Sequence, residues 1–200
     1  LLCESGHRLL LMQIVKQAKS CRNSHRRDGI TGTNTVSTIV IRPAETADAA
    51  AICEIYNHYI EHTVITFEEE LLTAGDIGKR LQDINAIGLP WLVAEVQGAV
   101  IGYAYASKFR DRSAYRYTAE VTVYLAPAGT GQGAGTSLYH ALFEALRERS
   151  IHIAIGGITL PNVASVALHE KMGMVKVAHL EEVGCKFGKW LDVGYWQVTL

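Results

Sequence analysis

The chain has 200 residues, 48% of them hydrophobic, and its 19 Lys and Arg against 20 Asp and Glu leave a formal net charge of -1. That length and apolar share fit one domain with a substantial core, with or without an appendage, and leave too little chain for a second full domain. The balanced charge offers no net attraction to nucleic acid or to an anionic membrane.

Residues 1–36 differ in composition from the rest of the chain. They hold a short apolar run, "LLLMQIV", then the basic stretch "KSCRNSHRR", then "DGITGTNT", rich in turn residues. The apolar run is far shorter than the roughly 20 residues that cross a bilayer, and no small-residue cleavage site comes after it. An N-terminal extension without assigned function is expected, with no membrane helix and no secretion. Cys3, Cys21, Cys53 and Cys185 are widely scattered, with no C-x-x-C pair and no histidine at zinc-ligand spacing. Reduced thiols, a cytoplasmic location and no metal are expected.

From residue 37 to 200 the pattern is globular. "STIVIRP" reads as a strand closed by Pro43, and "TADAAAICEIYNHYI" puts Ala49, Ile52, Ile55, Tyr56 and Tyr59 on one helical face. "AGDIGKRLQDINAI" reads as a second helix. "WLVAEV" and "AVIGYAYAS", joined by "QG", read as a hairpin, and "YTAEVTVYLAP" as a further strand stopped by Pro127. Behind it, Leu138, Ala141, Leu142, Ala145 and Leu146 form the stripe of a helix packed on a sheet. The strand "IHIAIGGI", ending at the two glycines Gly156 and Gly157, a helix from about Asn162 to Met172, and strands "MVKVAHL" and "GYWQVTL" complete a mixed α/β sheet.

Four alternate glycines, Gly129, Gly131, Gly133 and Gly135, stand between a strand and a helix. Such a loop presents free backbone N–H groups beside the positive end of the helix dipole, which favours an anion such as phosphate. A P-loop would need Gly-Lys-Ser/Thr, but Gly135 is followed by Thr136 and Ser137. "GTGQGA" nominally fits a dinucleotide fingerprint, yet the next strand offers no acidic residue for the ribose hydroxyls. The third candidate is the pyrophosphate arm of coenzyme A.

"TGQGAG" resembles the acetyl-CoA loop of the GNAT superfamily of N-acetyltransferases, Q/R-x-x-G-x-G/A, with Thr130, Gly133 and Gly135 at the defining positions and Thr130 departing from the usual Gln or Arg. "NHYIEHTVITFEEE", "PWLVAEVQGAVIGYAYA", "AYRYTAEVTVYLAP", "TLPNVASVALHEKMGM" and "GCKFGKWLDVGYWQVTL" together resemble the phosphinothricin and methionine sulfoximine N-acetyltransferase family over about residues 37 to 200. The resemblance implies a GNAT fold, a mixed and mostly antiparallel sheet flanked by helices. It implies acetyl-CoA as co-substrate, a small amino-acid-like acceptor, and a homodimer.

Residue by residue, the resemblance makes Glu120 the general base and His169, seven residues after Asn162, its partner in proton transfer. It assigns the coenzyme to Val121, Val123, Tyr124, Leu125, Thr130, Gly131, Gln132, Gly133, Ala134, Gly135, Thr136, Asn162 and Ser165, with backbone N–H groups at Val123 to Leu125 facing the developing oxyanion. It assigns the acceptor to Phe67, Arg110, Arg112 and Tyr115. Taken alone, Glu120 also fits a solvent-facing strand carboxylate, His169 a helix-surface histidine, and "KFRDR" a charged hairpin loop. Trp91 reads as core, His58 as packing and His140 as helix surface. With no cysteine in the motif segments that build the centre, direct transfer is expected over an acetyl-cysteine intermediate. Two other readings stay open: another amine or a peptide N-terminus as acceptor, and a non-catalytic acyl-CoA sensor.

Overall fold

The computed structural model describes residues 38–200; the expected extension, residues 1–36, lies outside them. Seven strands form one sheet in the order β1-β2-β3-β4-β5-β7-β6, where β1 is Val40–Pro43, β2 Trp91–Val96, β3 Ala99–Lys108, β4 Thr118–Leu125, β5 Ile153–Leu160, β6 Val175–Lys186 and β7 Lys189–Thr199. Every neighbouring pair is antiparallel except β4 and β5. The mixed, mostly antiparallel sheet expected from the alternating apolar runs is therefore present.

Four helices flank it: α1 (Ala49–His62), α2 (Ala74–Ala86), α3 (Ala134–Glu148) and α4 (Val163–Lys171). One face of the sheet packs on α1 and α2 through Ile52, Ile55, Ile60, Ile77, Leu81 and the buried Trp91 and Tyr103. The other packs on α3 through Leu138, Tyr139, Leu142, Phe143 and Leu146, with Leu168 of α4 against the same cluster. Thr73 caps α2 by accepting from the Asp76 N–H while Asp76 reaches back to the Thr73 N–H, and Asn162 caps α4 by accepting from the Ser165 N–H at 3.0 Å. His140 is exposed, as expected of a helix-surface residue.

Two expectations need correction. β5 does not end at Gly156 and Gly157; it runs on to Leu160, paired with β7 throughout. The glycines are there because a side chain at either would meet a neighbour, not because the strand stops. The closing strands are also longer than their apolar cores suggest. β6 and β7 form one long hairpin turned by Phe187 and Gly188, both at positive φ (50 and 71), the geometry of a tight two-residue turn. This hairpin grips the α1–α2 loop. The buried Lys186 donates to the Thr66 carbonyl at 2.8 Å, and Phe67 lies so close over Gly184 that a Cβ there would overlap its ring.

Candidate active site

The glycine loop connects β4 to α3. Gly131 (φ 76) and Gly133 (φ 84) are left-handed, a conformation that side chains with a Cβ resist, and Gly133 is the N-cap of α3. The first helical bond runs from the Ser137 N–H to the Gly133 carbonyl, so the N–H groups of the preceding turn have no partner within the helix. The side chains of the loop are turned inward. Thr130 Oγ1 donates to the Pro127 carbonyl at 3.0 Å and Gln132 Nε2 to the Ala128 carbonyl at 2.9 Å, so the hydroxyl proton and one of the two amide protons are used within the loop.

From this loop a groove of about 450 Å³ runs between β4 and α4, lined by Val123, Tyr124, Leu125, Thr130, Gly131, Gly133, Gly135, Thr136, Asn162 and Ser165, with Tyr59, Ile65 and Lys171. Of the residues assigned to the coenzyme from sequence, only Val121, Gln132 and Ala134 are not on its wall. Ala134, the first residue of α3, is fully buried, and Val121 lines a smaller adjoining cavity with Asn162, Ser165 and His169.

The groove exists because β4 and β5 part. They pair only over Thr118–Glu120 and Ile153–Ile155, and Glu120 is the last residue of β4 paired with β5. The Ala126 N–H points to β3, donating to Ile101 at 2.9 Å. Strict alternation then turns the N–H groups of Val123 and Leu125 away from β3 and into the cleft. Tyr59 closes the upper end, its hydroxyl donating to the Leu125 carbonyl at 2.7 Å.

Glu120 and His169 sit on opposite faces of the sheet beside this fork. A Cβ on Gly157 would lie 3.6 Å from Glu120 Oε1, whereas a Cβ on the adjacent Gly156 would come to 2.5 Å from His169 Nε2. Neighbouring strand residues face opposite ways, so each glycine makes room for one of the two groups. Burial raises the Glu120 pKa above the usual carboxylate value, and the positive field of Arg110 partly opposes this.

His169 is buried, not on the helix surface, and both its nitrogens are engaged. A carbonyl can only accept, so the 2.7 Å contact of Nδ1 with the Ser165 carbonyl puts the proton on Nδ1; Nε2 then accepts from the Tyr139 hydroxyl at 3.0 Å. Burial lowers its pKa, the Ser165 bond acting the other way. Tyr139, wholly buried on α3, was not singled out from sequence, although Tyr139, Leu142, Phe143 and Leu146 repeat at helical spacing.

The residues assigned to the acceptor fall in two places. Arg110, Arg112 and Tyr115 line one pocket of about 480 Å³ with Lys108, Arg116 and Arg149, at the end of β4 opposite the glycine loop. The two arginines are not on an extended strand; they occupy a bend that leads into a short 3-10 turn at Ser113–Tyr115. Arg110 stacks on Phe109, 4.5 Å from its ring centroid. Phe67 is not in that pocket but packs against the β6–β7 hairpin. Among the described residues no group of three His, Cys, Asp or Glu is placed to hold a metal, and no helix is long and apolar enough to cross a membrane.

The sheet forks beside the half-buried Glu120 with a phosphate-type loop at the mouth of the fork, and the chain is similar to known acetyltransferases. Residues 41–194 match the model of the acetyltransferase (GNAT) domain. The phosphinothricin N-acetyltransferase of Streptomyces viridochromogenes is 43% identical over 162 residues, covering 80% of this chain and 86% of that protein. The L-methionine sulfoximine/L-methionine sulfone acetyltransferase of Salmonella typhimurium is 39% identical over 165 residues, 81% of this chain and 95% of that one. Among solved structures, a GNAT superfamily phosphinothricin acetyltransferase from Sinorhizobium meliloti in complex with acetyl-CoA superposes with a TM-score of 0.79 at 36% identity, covering 82% of this chain and 89% of its own. The chain belongs to the GNAT acetyltransferase family.

The state of His169 makes a stability prediction. Its folded-state pKa is depressed below the ordinary 6.5, so the stability tied to the neutral ring is complete above the unfolded value and is lost as pH falls through the folded one. Denaturant unfolding at about pH 7.5 and about pH 5 is expected to show a loss in the wild type that His169→Gln lacks. Equal losses would contradict the buried, neutral imidazole.

Proposed function

We propose that this protein transfers an acetyl group from acetyl-CoA to the α-amine of a small amino-acid-like acceptor of the phosphinothricin, methionine sulfoximine or methionine sulfone type. The observation that carries the reading is the parting of β4 and β5 just after the half-buried Glu120, which opens a groove along β4 to the phosphate-type loop. The names of the relatives and the coenzyme in the Sinorhizobium meliloti structure support it. The groove residues fit such a ligand: unpartnered N–H groups at the start of α3 for phosphate, and strand N–H groups at Val123 and Leu125 for the arm and the acyl oxygen.

Acetyl-CoA supplies the acyl carbon as a thioester. An ammonium has no lone pair, so Glu120 takes the proton of the acceptor nitrogen, directly or through water, as the N–C bond forms and the C–S bond breaks. The N–H groups of Val123 and Leu125 face the oxygen that gains charge. Direct transfer fits the cysteines: Cys53 is buried with Sγ on the Leu72 carbonyl, Cys185 lies on β6, and neither lines the groove. Among the described residues neither thiol is paired. His169 enters as a positioning group. With its proton on Ser165 and its lone pair on Tyr139, it shapes the deep end of the cleft and leaves proton traffic to Glu120.

The basic pocket around Arg110 and Arg112 suits an acceptor that carries one or more acidic groups, since paired guanidinium groups hold a carboxylate or a phosphinate well. A homodimer is part of the proposal. β6 is an edge strand of the sheet, and Val175, Val177, Val183 and Trp190 expose 62%, 45%, 54% and 65% of their surface on the β6–β7 hairpin, an apolar stretch that a second copy would cover.

Thiol release from acetyl-CoA across phosphinothricin, methionine sulfoximine, methionine sulfone, common amino acids and short peptides tests the acceptor. Release with peptides alone would overturn the small-acceptor reading, and binding without release on any amine would favour a sensor. Glu120→Gln is expected to keep acetyl-CoA affinity and to lose about 10²–10⁴-fold in turnover; near-normal turnover would remove the glutamate base. The acid limb of kcat is a second test. Glu120 works as a carboxylate, so kcat falls as pH drops through its pKa. Arg110 lowers that pKa, and Arg110→Gln is therefore expected to move the limb to higher pH at saturating acceptor. A limb that stays or moves down would contradict the coupling. Sedimentation of Val183→Glu beside the wild type checks the dimer: a dimeric wild type and a monomeric variant are expected.

A further inference from the structure

Lys171 is the sole charged side chain on the wall of the groove that leads from the glycine loop, among the described residues. It is the last residue of α4, exposed, and its Nζ donates to Thr136 Oγ1, in the first turn of α3, at 3.3 Å. None of the ion pairs among the described residues includes it. An ammonium has three donors and one is spent on Thr136, so two remain for an incoming acceptor.

Position 130 cannot supply a cation. Thr130 is uncharged, and its hydroxyl proton is committed to the Pro127 carbonyl at 3.0 Å, within its own turn. Gln132, the other polar side chain of the loop, is uncharged as well and spends one of its two amide protons on the Ala128 carbonyl. The backbone N–H groups that open α3 therefore meet an anion with no charge from the loop's side chains. Help comes across the groove. Gly135 lets α4 approach so closely that a Cβ there would lie 3.1 Å from Leu168. Lys171 is three residues on, on the same face of α4, which brings its ammonium over the N–H groups at the start of α3.

We propose that Lys171 is the cation that holds the diphosphate of the coenzyme, in the role that Thr130 leaves empty. The assignment rests on the acetyl-CoA reading above. It divides the site in an unusual way: the donors come from α3 and the charge from the far end of α4.

The test is equilibrium binding of acetyl-CoA by titration calorimetry at fixed ionic strength, for the wild type, Lys171→Met and the double variant Lys171→Met with Thr130→Arg. An exposed charge-assisted contact corresponds to about a tenfold change in affinity. Lys171→Met is expected to bind about tenfold more weakly with an unchanged unfolding midpoint, and Thr130→Arg to recover most of the loss. The KM for S-acetylpantetheine, which lacks the phosphates, is expected to be the same in wild type and Lys171→Met. Equal acetyl-CoA affinity in both would overturn the proposal, as would an equal loss with S-acetylpantetheine. A loss that vanishes with acetyl-dephospho-CoA would move the contact to the ribose phosphate and overturn the diphosphate assignment. A wild type that binds no acetyl-CoA would instead refute the coenzyme reading itself, and the lysine's role with it.

Discussion

β4 and β5 are hydrogen-bonded over three residues each and then separate, although β5 continues to Leu160 and β4 to Leu125. A sheet interior that gives up its ladder bonds exposes strand N–H and C=O groups that demand partners. The protein answers on one side with Tyr59, whose hydroxyl takes the Leu125 carbonyl. On the other side it leaves N–H groups facing a groove. The unmet hydrogen-bonding capacity of β4 is thus the surface proposed to bind the coenzyme, and the antiparallel pairings β3–β4 and β5–β7 hold the fork open from outside.

The fork also dictates its neighbours. Gly156 and Gly157 lie at its base, and each clears one face of β5, for His169 and for Glu120. A Cβ at Gly156 would push His169 off Tyr139 and Ser165. One at Gly157 would crowd Tyr195 at 3.3 Å as well as the carboxylate. Small residues in a strand weaken it in general. Here the continuous pairing of β5 with β7 offsets that cost.

Much of this was legible in the chain. The stripe of α3, the hairpin β2–β3 and the Asn162 cap follow from spacing and residue chemistry, and the four glycines mark the loop that opens α3. The end of β5 was misplaced because adjacent glycines normally punctuate a strand, and only tertiary contacts show that these two are spacers. The β6–β7 hairpin was cut short because "EEVGCKFGKW" mixes charges and glycines, and its inward-facing Lys186 breaks the apolar alternation. The resemblance carried Glu120 and His169 as a pair, but it could not place them on opposite faces, because that follows from the register of two strands distant in sequence. Lys171 was invisible for the same reason: it and Thr136 are 35 residues apart and meet only when α4 packs on the start of α3.

The electrostatics of the fork suggest why Glu120 is both desolvated and watched by Arg110. An unperturbed glutamate near 4.3 and an α-ammonium near 7.7–8.0 are separated by about 3.5 units, so proton transfer between them is uphill by about 5 kcal/mol. Burial narrows the gap by raising the carboxyl pKa, which makes Glu120 a stronger base. Carried too far, the same burial would leave it protonated at neutral pH and useless. The Arg110 field works against that limit. In the proposed reaction an acidic acceptor settling among the arginines would neutralise part of this field and raise the Glu120 pKa, so the arginines proposed to bind the substrate would also tune the proposed base.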